Sequence, residues 1–181
     1  MGLISKIKEF GDDFAEANRI LKMPGNELLE LEDADLRELI DKRIDSETRR
    51  RKNDWILQHL NKAKRTFFII SSYDMEVNNG GLLQYFDNSS RETAPFLLGA
   101  LKELGAVGHI ELLKRFIRDN KIELNDLKFL EKYTDDESNW DVLDEFDDAF
   151  YELYETESLE ELLVKYVREQ IDDFQYRKGT G

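Results

Sequence analysis

Over residues 141–155 the chain sorts its side chains by kind at helical spacing. Val142, Leu143, Phe146, Ala149, Phe150, Leu153 and Tyr154 gather on one side, and Asp141, Asp144, Glu145, Asp147, Asp148, Glu152 and Glu155 on the other. Apolar residues three and four apart define a helix that buries one face. The same spacing links Leu36, Leu39, Ile40 and Ile44. It returns in Ala94, Leu97, Leu98, Leu101 and Leu104, in Val107, Ile110, Leu113, Phe116 and Ile117, and in Leu159, Leu162, Leu163, Tyr166, Val167, Ile171 and Phe174. Only 2 Pro and 10 Gly punctuate the 181 residues, too few turn formers for many short strands. The expected fold is all-α, a single-domain multi-helix globular bundle.

Individual elements follow from the same pattern. Leu3, Ile4, Ile7, Phe10, Phe14, Ala17 and Leu21 predict a first helix that Pro24 and Gly25 interrupt. A second helix follows an Asp33 or Asp35 cap and runs into the basic cluster Arg49, Arg50, Arg51 and Lys52, read as a solvated helix end. Residues 1–50 are expected to form an N-terminal helical extension packed on the core, and residues 51–178 the main helical domain. A longer helix is expected from Asn53 or Asp54, with Trp55, Ile56, Leu60, Ala63 and Phe67 inward. Residues 66–70 are β-prone taken alone, but their flanks are helical. Asn78, Asn79, Gly80 and Gly81 are expected to end that helix, because Asn and Gly tolerate the left-handed backbone of a C-terminal cap. A shorter helix spans residues 126–133, and Ser158 with Glu161 forms a capping box.

Charge narrows the function. Against 26 Lys and Arg stand 40 Asp and Glu, a net of −14, so a basic surface that tracks nucleic-acid phosphates is excluded. The imbalance is local: residues 1–70 carry 14 basic and 14 acidic side chains, and residues 131–181 carry 5 and 17. Cysteine is absent, which removes disulfides, zinc-thiolate sites and cysteine nucleophiles. Charges interleave the first 21 residues, so no signal-peptide core is expected there, and no apolar run approaches the ~20 residues of a membrane span. The expectation is a soluble cytoplasmic protein.

No Lys or Arg lies between Tyr133 and Val164. Like charges three or four residues apart cost about 0.2–0.5 kcal/mol per pair. Burying Phe146, Phe150 and Leu153 at about 1.5–3 kcal/mol each outweighs that. The helix forms, and its carboxylates face solvent, a basic protein surface or a metal ion. Asp141, Asp144, Glu145, Asp148, Glu152 and Glu155 are the candidate partner-binding residues. Carboxylates one turn apart recur every ~5.4 Å along a helix, against ~3.4 Å for the phosphates of one DNA strand, a match sufficient to attract a DNA-binding protein.

Catalytic patterns are missing. His59 and His109 are the only histidines, and neither completes the Glu-x-x-His pair of bundle metal sites or the His-Glu-x-x-His zinc motif. Gly80 with Gly81, and Gly105 with Gly108, lack nucleotide-loop spacing. Asp135, Asp136 and Glu137 lack the alternating ligands and glycine of an EF-hand. A noncatalytic protein is expected, with no catalytic residues, cofactor or metal assigned. A carboxylate-only metal-dependent enzyme is the alternative in that class.

One stretch is more specific. Asn79-Gly80-Gly81, Gln84-Tyr85-Phe86 and Asn88 resemble the Asn-Gly-Gly-x-x-Gln-aromatic-Phe-x-Asn signature of a bacterial family of otherwise unknown function, named for a member that acts as a DNA mimic. Ala100-Leu101 with Leu104-Gly105-Ala106, the spacing Asp144-x-x-Asp147-x-x-Phe150-Tyr151, and Leu162-Leu163-x-x-Tyr166-Val167 agree with it. The similarity covers residues 53–175, and Arg91 stands where a glycine often follows the paired serines. The resemblance implies an all-helical fold. For the namesake it implies an acidic surface, often in a homodimer, that occupies the DNA site of a transcription repressor. Asn79, Gly80, Gly81, Gln84, Phe86 and Asn88 read as a structural motif, glycines for a bend and amides to bond exposed backbone groups. The functional expectation is a DNA mimic that engages a basic DNA-binding protein, with neutralisation of a basic nuclease toxin as the alternative partner relation.

Overall fold

The periodic segments become helices throughout the computed structural model, which describes residues 19–176. All regular structure among those residues is helical, with no strand. The helix expected from Leu3, Ile4, Ile7, Phe10, Phe14 and Ala17 lies outside the described residues. In chain order the elements are α1 (Gly25–Leu28), α2 (Asp33–Thr48), α3 (Asn53–His59), α4 (Lys62–Asp87), α5 (Ala94–Leu104), α6 (Val107–Asn120), α7 (Leu127–Asp135), α8 (Trp140–Tyr154) and α9 (Leu159–Glu169). Short 3-10 turns at Ser89–Thr93, Glu137–Asn139 and Ile171–Phe174 complete them. No helix among the described residues is long and apolar enough to cross a membrane.

Two compact units divide the chain. One comprises residues 1–51 with 164–181, the other residues 52–163.

In the first unit, Ile20, Leu28, Leu36, Leu39, Ile40, Val167 and Phe174 are buried. The short helices leave carbonyl oxygens without partners, and two arginines supply them. Arg43, fully buried, donates from Nη1 to Phe174 O at 3.1 Å and from Nη2 to Met23 O at 2.6 Å. Burial pulls its pKa down to about 10, with Glu47 opposing. Arg168 donates to Leu29 O at 3.0 Å, Leu31 O at 2.7 Å and Asp33 Oδ1 at 2.6 Å. Asp33 is thus a partner of Arg168, and Glu32 holds the N-cap position of α2 without a side-chain bond.

In the second unit α4 packs against α5, α7 and α8, and α6 packs against α5 and α8. Aromatic rings fill the space between them. Tyr73 meets Phe150 edge-on at 5.6 Å, and Phe116 meets Phe146 at 5.1 Å, geometries that suit the ring quadrupoles. Residues 66–70 are helical, within α4. The single helix expected from Asn53 is two. Leu60 is extended (φ −68°, ψ 144°), and Asn61 caps α4 by accepting the Lys64 N–H at 2.8 Å. Trp55 is half-buried and stacks on His59 at 4.2 Å. Asp126 caps α7 through the N–H groups of Lys128 and Phe129. Ser158 Oγ accepts the Glu161 N–H at 3.3 Å, one half of the expected capping box, and the Glu161 side chain makes no return bond among the described residues.

Asn78 to Gly81 end the first regular stretch of α4, as expected, but a second helical stretch follows directly. The helix kinks at Gly80 (φ −162°, ψ 27°) and Gly81 (φ 76°, ψ −177°) and resumes to Asp87. The left-handed φ of Gly81 favours glycine there.

Candidate functional site

On α8, at about 100° per residue, Asp141, Asp144, Glu145, Asp148, Glu152 and Glu155 fall within an arc of about 100°. All six are exposed. None forms an ion pair or a side-chain hydrogen bond with another described residue. The row is about 21 Å long at 1.5 Å per residue. Along one flank runs a groove of about 650 Å³ between α6 and α8, where Lys114, Arg115 and Arg118 stand across from Glu152. Lys114 pairs with Glu111 at 3.0 Å and Arg118 with Asp119 at 2.7 Å, while Arg115 lines the grooves beside Glu152 and Glu145 without an ion pair to either. Also on α8, Trp140 and Tyr151 expose 43% and 44% of their surface. Each is held by its polar atom: Trp140 Nε1 donates to Thr134 O at 3.0 Å and Tyr151 Oη to Val77 O at 2.9 Å.

Asp147 departs from the expected outer row. It lies about 60° outside the arc of the other six, and its side chain is half-buried against the bend of α4. In an unbroken helix the Leu82 N–H would bond to residue 78 and Val77 O to residue 81. At the bend both groups turn to α8. The Leu82 N–H donates to Asp147 Oδ1 at 2.8 Å, and Val77 O accepts the Tyr151 hydroxyl. A Cβ on Gly81 would stand 1.9 Å from Asp147 Oδ2, so close approach as well as φ requires glycine. Burial raises the Asp147 pKa to about 6. The Leu82 hydrogen bond opposes this, and Asp144 and Asp148 add to it.

The signature residues meet a second carboxylate. Glu76 is 7% exposed and accepts three side-chain donors: Gln84 Nε2 at 2.5 Å, Asn88 Nδ2 at 2.8 Å and Ser90 Oγ at 2.9 Å. Burial works against its charged form, but the three hydrogen bonds outweigh burial and hold its pKa below the ordinary value. The Gln84 and Asn88 amides therefore bond a buried carboxylate instead of the backbone groups expected for them. Gly80 gives Gln84 room, since a Cβ there would lie 2.3 Å from Gln84 Oε1. Phe86 is fully buried. Asn79 is exposed, and its side chain makes no hydrogen bond among the described residues. Arg91 donates to Asp87 O at 2.6 Å and so serves the carbonyl end of α4.

Elsewhere the acidic segment also caps helices. Glu157 Oε2 accepts the His109 N–H at 3.1 Å, in the first turn of α6, where a negative charge suits the helix dipole. His109 is fully buried, with Nε2 3.0 Å from Glu157 O. Burial lowers its pKa, the Glu157 carbonyl and carboxylate opposing. Asp136 accepts from the N–H and hydroxyl of Ser138. Among the described residues no three or more His, Asp or Glu are placed to hold a metal ion.

Two parts of the resemblance, the Asn79–Asn88 stretch and the α8 spacing, thus meet at one joint. A model of the family described as DMP19-like protein matches residues 58–170. The chain belongs to the DMP19-like family. No curated protein and no solved structure gives a match. The matched residues of this DMP19-like chain include the whole kinked joint and the α8 carboxylates.

Proposed function

We propose that this DMP19-like protein is a noncatalytic binding protein whose α8 carboxylates engage the basic surface of a DNA-binding protein, as a DNA mimic does. The observation that carries the reading is the row of six exposed carboxylates, Asp141, Asp144, Glu145, Asp148, Glu152 and Glu155, without cationic partners among the described residues. Surface acids ordinarily interleave with Lys and gain from it. A row that accepts self-repulsion gains most from a cation supplied by a partner. Family membership adds support, since the resemblance implies such a surface for the namesake. The basic ridge of Lys114, Arg115 and Arg118 repels a cationic partner on one flank of α8, so the partner sits over α8 and its other flank.

Affinity chromatography from the native host tests the reading, with the chain immobilised at low salt. The retained proteins are expected to bind DNA, to elute as salt rises, and to be displaced by duplex DNA. A chain carrying Asp144→Lys, Glu145→Lys, Asp148→Lys and Glu152→Lys is expected to stay folded by circular dichroism and to retain none of them. Equal retention by that variant would remove the face from consideration. Recovery of a nuclease would favour toxin neutralisation over transcription control.

A further inference from the structure

Asp147 belongs to the acidic helix by position and to the joint by contact. Asp144 precedes it by one turn and Asp148 follows it directly, yet its carboxylate points inward, with the Leu82 N–H at 2.8 Å and Gly81 packed against Oδ2. From α4 it faces Tyr73, whose fully buried hydroxyl has no hydrogen-bond partner and which also feels Asp74. From α8 it faces Asp144, Asp148 and Tyr151. Lys114, Arg115 and Arg118 of α6 line the other flank, beside Ala149, Glu152 and Leu153. No cation among the described residues pairs with it.

We propose that Asp147 couples the strip to the joint: a cationic surface seated over Asp144 and Asp148 drives the proton of Asp147 into solvent and fixes the ionised carboxylate on the Leu82 amide. The coupling rests on reading the strip as a docking face. Burial and two like-charged neighbours disfavour the ionised carboxylate in the free chain. A cation over the strip offsets the repulsion, and linkage then makes docking tighter where Asp147 is ionised. Docking thereby strengthens the hydrogen bond that spans the Gly80–Gly81 bend, because a carboxylate accepts more strongly than a carboxylic acid.

The probe is decalysine, titrated into the full chain by calorimetry near pH 6 in two buffers of different ionisation enthalpy. For the wild type the heats are expected to differ between buffers. Affinity should rise about fivefold between pH 5 and pH 7 for a one-unit displacement of the Asp147 titration from about 6. Asp147→Asn is expected to bind without that buffer dependence. Equal wild-type heats in both buffers would overturn the coupling while leaving the strip as a docking face. Failure of decalysine to bind at low salt would overturn both. The Asp147 carboxyl carbon resonance of the wild-type chain gives the result independently of the variant's folding. It should move toward the ionised position as decalysine is added, and an unmoved resonance refutes the coupling.

Discussion

In the unit built from residues 1–51 and 164–181, the charges that hold backbone together are cations. Arg43 and Arg168 reach the carbonyl oxygens of Met23, Leu29, Leu31 and Phe174. In the unit of residues 52–163 arginines again reach carbonyls, Arg65 that of Leu57 and Arg91 that of Asp87, but anions join them, with Asp147 and Glu157 taking the N–H groups of Leu82 and His109, and Glu76 taking three side-chain donors. The sign follows from which end of a helix is left open. Chain that leaves short helices presents carbonyls and calls for a guanidinium, whereas a helix start presents amides and calls for a carboxylate. The two units should therefore answer differently to mutation and to acid.

The largest effect is expected from Arg43→Ala, which leaves Met23 O and Phe174 O buried and unpaired and opens a cavity. The loss should be about 3–5 kcal/mol by urea unfolding, with hydrogen exchange rising first in residues 19–51. Glu76→Ala strands three donors in the other unit and should cost about 3 kcal/mol. Its pH signature separates it from Arg43→Ala. Because the Glu76 pKa lies below the unfolded value of 4.5, its contribution is complete above that value and fades as pH falls through the folded one. Glu76→Gln should therefore show a flatter loss of stability in acid than the wild type. Gly81→Ala should cost about 2 kcal/mol from the left-handed φ and the collision with Asp147. Part of that cost should be recovered in the double variant with Asp147→Ala. The smallest effect, and the one of opposite sign, belongs to Asp147→Asn. The folded pKa of about 6 lies above the ordinary 3.8, so the carboxyl stabilises the fold below pH 3.8, and that contribution is lost as pH rises through 6. The variant should gain about 1 kcal/mol at pH 7, solvent screening included, and nothing below pH 4. A loss at pH 7 would show that the charged carboxylate's bond to Leu82 dominates.

Which of these features the residue pattern reveals depends on whether the deciding neighbour is near in sequence. Helix positions are legible because apolar spacing is local, and Asp126 and Ser158 announce their helix starts through their own side chains. The break at Gly80 and Gly81 is legible too, but the joint that carries the chain on from it is not. Two glycines that usually stop a helix are here bridged by Asp147 and Tyr151, 65 and 74 residues away along the chain from their partners Leu82 and Val77. Asp147 and Asp148 are the same chemical type in the same acidic run, and only the bend opposite tells them apart. A wheel drawn finely enough carries a hint, since Asp147 stands outside the arc of the other six. Glu76 left a comparable trace, following the buried Ile69 by two helical turns on a face that is otherwise enclosed. The six strip residues themselves are legible because exposure needs no partner.

The division of labour along α8 also makes the protein a mount with an interchangeable label. Asp147 and Tyr151 fasten the helix by two bonds to the bend of α4, and Leu143, Phe146 and Phe150 anchor it beneath. The six outward positions bear no part of that attachment. They can be rewritten in charge or shape, toward a different partner altogether, while the scaffold that presents them stays as it is.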